Sequence, residues 1–163
     1  MYISHRLLEG DLIEPIVDVR IVDTPIGADL MAPEGGIYGA FGGQVTFTGL
    51  VRRRNDGKSV VGIEYECYQA LAKTECRKIC FEVAKKYGVG WIDVAHRIGS
   101  LQVGDIAVFI QVMSEHRKEA FAACSDVIDQ IKKTVPIWKK EFYVDGSYAW
   151  PHCSGCSDAG LRQ

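Results

Sequence analysis

The chain has 163 residues, a net charge of −2 and a pI near 6.1, with 47% hydrophobic and 25% charged residues. That balance describes one globular domain large enough to bury a core, and it argues against a general nucleic-acid binder, so any basic site must be a local patch. No apolar run approaches the roughly 20 residues of a membrane-spanning helix and the N-terminus lacks a signal-peptide layout, so a cytoplasmic location with free thiols is expected.

Residues 1–35 read as a lead-in, punctuated by Pro15, Pro25 and Pro33, in which Ile13, Ile16, Val17 and Val19 suggest one short helix or strand. Gly35-Gly36 and Gly42-Gly43 flank Ile37 to Phe41 and imply turns or close backbone approach. Residues 44–52 alternate, with Val45, Phe47, Gly49 and Val51 on one side, as a strand requires. Asn55-Asp56-Gly57 is a turn signal, and residues 59–67 resume as a strand, which predicts a hairpin with a long basic tip.

A helix is expected from Ala70 to about Tyr87, with Ala72, Cys76, Ile79, Val83 and Tyr87 on its apolar stripe and Gly88 and Gly90 ending it. Residues 91–98 form the next strand, with His96 on its apolar face, where a hydrogen-bonded core histidine is the simplest reading. Ile106 to Met113 is almost continuously apolar and predicts a central strand covered on both faces. A second helix is expected from Lys118 to Thr134, capped by Ser114, with Phe121, Cys124, Ile128, Ile131 and Val135 facing the core. The order of elements reads as α+β, with a largely antiparallel sheet and helices packed on it.

The second helix ends in a stretch that offers chemistry. Lys132-Lys133 precede Pro136, which cannot continue a helix, and Lys139-Lys140 follow it. The turn at Val135 can bring Lys132 and Lys139 toward one pocket, where an anionic ligand would offset their repulsion. A solvated helix end, favourable for lysine in its own right, is the bland alternative. Arg52 lies at the exit of the first clear strand, and His116 and Arg117 lie between the central strand and its helix. Cations at element ends suit small-anion sites, with arginine gripping oxyanions through two bonds and histidine moving protons. Arg53, Arg54 and Lys58 read as a solvated tip; Trp138 and Phe47 read as packing groups.

His152-Cys153-Ser154-Gly155-Cys156 offers three metal ligands where a structural zinc site needs four, so no metal site is expected. Phosphate-binding glycine loops and the G-x-S-x-G elbow are absent from the sequence, which removes support for nucleotide hydrolysis and serine-hydrolase chemistry.

Six blocks, in order, resemble the large, catalytic subunit of molybdopterin synthase: Val45-Thr46-Phe47-Thr48-Gly49-Leu50-Val51-Arg52, Glu64-Tyr65-Glu66-Cys67-Tyr68, Ala95-His96-Arg97-Ile98-Gly99, Ser114-Glu115-His116-Arg117, Ala120-Phe121, and Val135 to Glu141. The resemblance covers residues 36–150, leaving the lead-in at 1–35 and a loose tail at 151–163 within a single domain. It implies an α/β hammerhead-like fold with a small added β-subdomain, and a homodimer. Each large subunit would bind a small ubiquitin-like sulfur carrier, giving a heterotetramer. The carrier's C-terminal Gly-Gly thiocarboxylate would enter a pocket and give sulfur to cyclic pyranopterin monophosphate, making the molybdopterin dithiolene. No cofactor or metal of the protein's own is implied. The family's catalytic lysines fall on Lys132 and Lys139; its substrate-binding positions fall on Arg52, His116, Arg117, Phe47 and Ile128. The chain departs from the family pattern in the proline that follows Trp150 at once.

Two other function classes compete with that enzyme. A non-catalytic module would use the same pocket to hold an acidic C-terminal tail. A small RNA-binding domain would use Arg52 to Lys58, against the acidic balance of the chain.

Overall fold

The computed structural model describes residues 14–27 and 37–151. The expectations for residues 1–13, for Gly35-Gly36 and for the His152–Cys156 cluster lie outside the described residues. In chain order the elements are β1 (Ile16–Val22), a short 3-10 turn (Ile37–Ala40), β2 (Gly43–Leu50), β3 (Arg54–Asn55), β4 (Lys58–Cys67), α1 (Gln69–Tyr87), β5 (Trp91–Arg97), β6 (Gly99–Gln102), β7 (Ile106–Ser114), α2 (Arg117–Thr134), β8 (Ile137–Tyr143) and β9 (Tyr148–Ala149).

These strands make two sheets. The first runs β1-β5-β7-β2, antiparallel except that β1 lies parallel to β5. Its central strand β7 is buried from Ala107 to Ser114, as the continuous apolar run requires. Period-2 alternation sends Ile92, Val94, Ile110 and Val112 toward α1 and α2, where they meet Cys76, Val83 and Val127. The opposite face collects Ile26, Ala95 and Phe109. The second sheet runs β3-β4-β8-β9, with β6 also paired to β4, and has a smaller core around Val51, Val60, Ile63 and Leu101. Together they form the mixed α/β architecture expected, with curled, largely antiparallel sheets.

Local chemistry explains where both α-helices stop. Gly88 closes α1 in the left-handed conformation with φ 66°, which lets its N–H reach the Ala84 carbonyl without Cβ strain. Val135 takes extended geometry before Pro136, and β8 begins two residues later.

Four expectations need correction. Residues 44–52 and 59–67 do not pair as a hairpin: β2 joins β7 in the first sheet, and β4 belongs to the second. Only Arg54-Asn55 folds back on β4, through the positive-φ pair Asp56 and Gly57. Ser114 does not cap α2, because it still pairs with Gly43 as the last residue of β7, and His116 holds the capping position. Phe121 is 63% exposed, the inward positions of α2 being taken by Ala120, Ala123, Cys124 and Val127. Trp138 is no packing residue either; it sits 48% exposed on the outward phase of β8.

The start of β2 is pressed against the start of α2. A Cβ on Gly42 would lie 2.5 Å from the backbone oxygen of Glu115. Gly42→Ala must therefore push apart the segments that carry Gly43 and His116. We expect it to cost about 1–3 kcal/mol, in the range of overpacking substitutions, read as a lower midpoint in thermal or urea unfolding.

Candidate active site

The C-terminal end of α2, the end of β2 and the inner face of the second sheet enclose a cleft in two connected parts. One part, about 380 Å³, is lined by Phe47, Arg52, Tyr65, Lys132, Lys139 and Glu141 among others. The adjoining part, about 290 Å³, shares Tyr65, Val108, Lys132 and Lys139 and adds His96, Ile128, Trp138 and Trp150.

Strand alternation explains why one lysine of the 139–140 pair enters the cleft. Lys139 and Glu141 share one phase of β8 and line the first part of the cleft, whereas Trp138, half-exposed at the rim of the adjoining part, Lys140 and Phe142 take the other phase. Lys140 is held there by aromatic faces, its Nζ 4.4 Å from the Tyr148 ring centre, 5.2 Å from Phe142 and 5.5 Å from Trp150. Lys132 occupies the last turn of α2, where the helix dipole favours a positive charge.

A buried carboxylate organises the cations. Glu141 is 3% exposed and accepts a 2.7 Å ion-pair contact from Lys139 Nζ. Asn55 Nδ2 donates to both carboxylate oxygens at 2.9 and 3.1 Å, and the Tyr143 hydroxyl donates at 3.1 Å. Arg52 donates in turn to Asn55 Oδ1. Burial pushes the Glu141 carboxyl upward, but the bonds from Lys139 and Asn55 outweigh it and hold the group below its usual range. The cleft thus gathers Arg52, Lys132 and Lys139 against one charged carboxylate.

His96 is buried, 7% exposed, and its Nδ1 lies 2.9 Å from the Arg97 carbonyl oxygen. A carbonyl can only accept, so Nδ1 carries the proton and Nε2 is the ring's lone-pair nitrogen. The Tyr65 ring meets it edge-on, with centroids 5.0 Å apart. Desolvation lowers its pKa from 6.5 to about 4, so the ring is neutral at pH 7.

Of the positions suggested by sequence, Arg52, Phe47, Lys132 and Lys139 line one part of the cleft, and Ile128 lines the other. His116 and Arg117 do not join them within a protomer. They stand at the start of α2 and Lys132 at its end, sixteen residues on from His116, so the helix separates the two groups by roughly 24 Å. Tyr65, His96 and Glu141 were not among the expected site residues. Glu141 had a readable signal, being two residues beyond Lys139 on a strand. Tyr65 reaches the cleft, and Asn55 reaches the Glu141 and Arg52 that line it, only through tertiary pairing. Among the described residues no cluster of three or more His, Cys, Asp or Glu side chains is placed to hold a metal. No helix among them is long and apolar enough to cross a membrane.

Comparison with known proteins gives one consistent relationship. The sequence model of the MoaE protein family matches residues 24–134. The molybdopterin synthase catalytic subunit of Nostoc sp. is 41% identical over 122 residues, 74% of this chain and 74% of that protein. The X-ray crystal structure of molybdopterin synthase from Staphylococcus aureus superposes with a TM-score of 0.70 at 36% identity, covering 88% of this chain and 99% of that one. A chain from the complex of subunits 1 and 2 of Helicobacter pylori molybdopterin-converting factor shares the fold, with a TM-score of 0.66 at 24% identity over 82% of this chain and 89% of that one.

Two outcomes follow from the site's electrostatics. Glu141→Ala strands the Lys139 ammonium and leaves two donors without their acceptor, so it should cost about 3 kcal/mol or more in urea unfolding. For His96, the unfolded chain binds a proton more readily than the native state between pH 6.5 and about 4. Stability should therefore fall as pH drops through that window, by about 3 kcal/mol from this residue. His96→Leu should remove that component from the pH profile of unfolding free energy.

Proposed function

This chain belongs to the MoaE protein family, that of the molybdopterin synthase catalytic subunits, and on that premise we propose the reaction its cleft performs. The chain is an enzyme subunit of molybdenum-cofactor biosynthesis. Its cleft takes sulfur from the thiocarboxylated C-terminus of a small ubiquitin-like carrier and passes it to cyclic pyranopterin monophosphate, forming the dithiolene of molybdopterin.

The observation that carries this reading is the convergence of Arg52, Lys132 and Lys139 on one cleft with Glu141 as the carboxylate beside them. Cyclic phosphate and thiocarboxylate are both anions. Bringing them to reacting distance in water means overcoming their repulsion and their separate motion. Fixed cations do both, and they act most strongly on the charge that builds as the phosphate ester opens. A thiocarboxylate also arrives already activated, so the large subunit needs no thiol nucleophile. The thiols fit that economy: Cys76, Cys80 and Cys124 are buried in the core, where burial pushes Cys124 up to about 11.

In this proposal Lys132 and Lys139 are the catalytic lysines, and Arg52 grips an anionic oxygen. Phe47 and Ile128 supply apolar walls for the flat pterin. His116 and Arg117 serve the same reaction from a second copy of the chain, because the length of α2 keeps them from their own protomer's cleft. Two large subunits and two carriers then make the functional assembly, and each cleft is completed across the dimer.

Two experiments test this. Lys132→Ala should leave carrier binding within a few-fold and lower dithiolene formation by 10² or more, measured by mass spectrometry with thiocarboxylated carrier and cyclic pyranopterin monophosphate. Tail binding without turnover by the unmodified chain would instead mark a non-catalytic module. For the shared site, Lys132→Ala and Arg117→Ala should each be inactive alone. Mixing them by co-refolding should restore about a quarter of wild-type activity, because half the dimers are mixed and each mixed dimer has one intact cleft. No recovery on mixing would rule out a cleft shared across the dimer, and full activity of Arg117→Ala alone would place Arg117 outside the reaction.

A further inference from the structure

Sulfur transfer leaves a bond to be broken. Once the carrier's sulfur has bonded to a pterin carbon, carrier and pterin are joined through an acyl C–S bond, a thioester. Freeing them needs water. The water oxygen bonds to the acyl carbon, and the C–S electron pair leaves on sulfur. One proton of the water ends on that sulfur or in solvent, and the carboxylic acid loses the other to solvent. No oxidant or reductant takes part.

At neutral pH that water needs a proton acceptor beside it. Arg52, Lys132 and Lys139 enter as cations and have no lone pair to offer. Glu141 already receives Lys139, Asn55 and the Tyr143 hydroxyl. His96 differs from all of them. It lines the cleft beside Ile128 and Lys132, its Nδ1–H is fixed on the Arg97 carbonyl, and its orientation is set by the edge-on Tyr65 ring.

We propose that His96, through Nε2, is the base that takes the proton of the water that splits the carrier–pterin thioester. The inference deepens the sulfur-transfer reading and rests on it. The polar and charged groups that share this part of the cleft with His96 are Tyr65 from β4, Lys132 from α2, Lys139 from β8 and the indoles of Trp138 and Trp150; the rest of its lining, Val108 and Ile128 included, is apolar. The two lysines add a second benefit. They stabilise the thiolate and carboxylate as they form, and the negative charge developing at the attacked carbonyl beside the ring offsets the cost of placing a proton on the imidazole. Burial keeps the resting imidazole neutral, so its lone pair is free of a proton when the water arrives.

The test is a single turnover with the full chain, thiocarboxylated carrier and cyclic pyranopterin monophosphate, quenched in acid and followed by intact-mass spectrometry. In His96→Leu and His96→Gln the first sulfur addition should proceed within a few-fold of wild type. A covalent carrier–pterin adduct should then accumulate and decay 10²-fold or more slowly. Added hydroxylamine, which cleaves thioesters without an enzyme base, should clear it. His96→Gln keeps a polar side chain and decides the matter if His96→Leu does not fold. Adduct decay at the wild-type rate in either folded variant overturns the assignment. So does equal loss of addition and decay, which marks a residue that only shapes the cleft. If wild type itself leaves the thiocarboxylate unconsumed, the sulfur-transfer reading fails first and the assignment falls with it.

Discussion

Glu141 is buried among groups that would otherwise repel one another or lose their hydrogen bonds. Its carboxylate faces Lys139, both of its oxygens accept from Asn55, and Arg52 is tethered through the same asparagine. Ionised carboxylates are costly to bury alone, and ammonium groups are costly to crowd. Here each offsets the other, and the residual charge of the cleft stays positive. The shape of the site follows from that compromise. β3, β8 and the segment after β2 are drawn to one point, so the cleft forms where the two sheets and the end of α2 meet.

The second constraint is the straightness of α2. An unbroken helix of 18 residues cannot present both of its ends to one small molecule. Its last turn feeds the cleft, while its first turn, packed under Gly42 and Gly43, faces elsewhere. A chain with cations at both ends of one helix either wastes half of them or works beside a second copy. The proposed assembly takes the second course.

Sequence reading reached the elements that carry strong periodic signals. β7 was legible because Ile106 to Met113, apolar except for Gln111, is too short for a typical helix and rich in β-branched residues, which favours a strand covered on both faces. The proline break was legible because Pro136 leaves the backbone few choices. The partition of strands between two sheets was not. Residues 44–52 and 59–67 look like hairpin partners from turn chemistry alone, and only tertiary packing sends them to separate sheets. The lysines of the cleft were found through family resemblance, and strand phase gives the physical reason that Lys139 rather than Lys140 turns inward. His96 read as a core histidine, and it is one: hydrogen-bonded and buried. What the sequence could not express is that this part of the core borders the cleft.

The parallel pairing of β1 with β5 carries a consequence for how the molecule is made. Ile16 lies beside Trp91 and Val22 beside Arg97, across a long intervening stretch of chain. On the ribosome, at about 5–20 residues per second, β1 emerges roughly 4–15 seconds before its partner. Until then Val17 and Val19, both fully or nearly sealed in the finished protein, have no sheet to join. The apolar surface of β1 therefore waits several seconds for its cover during synthesis, far longer than a local helix or hairpin needs to form.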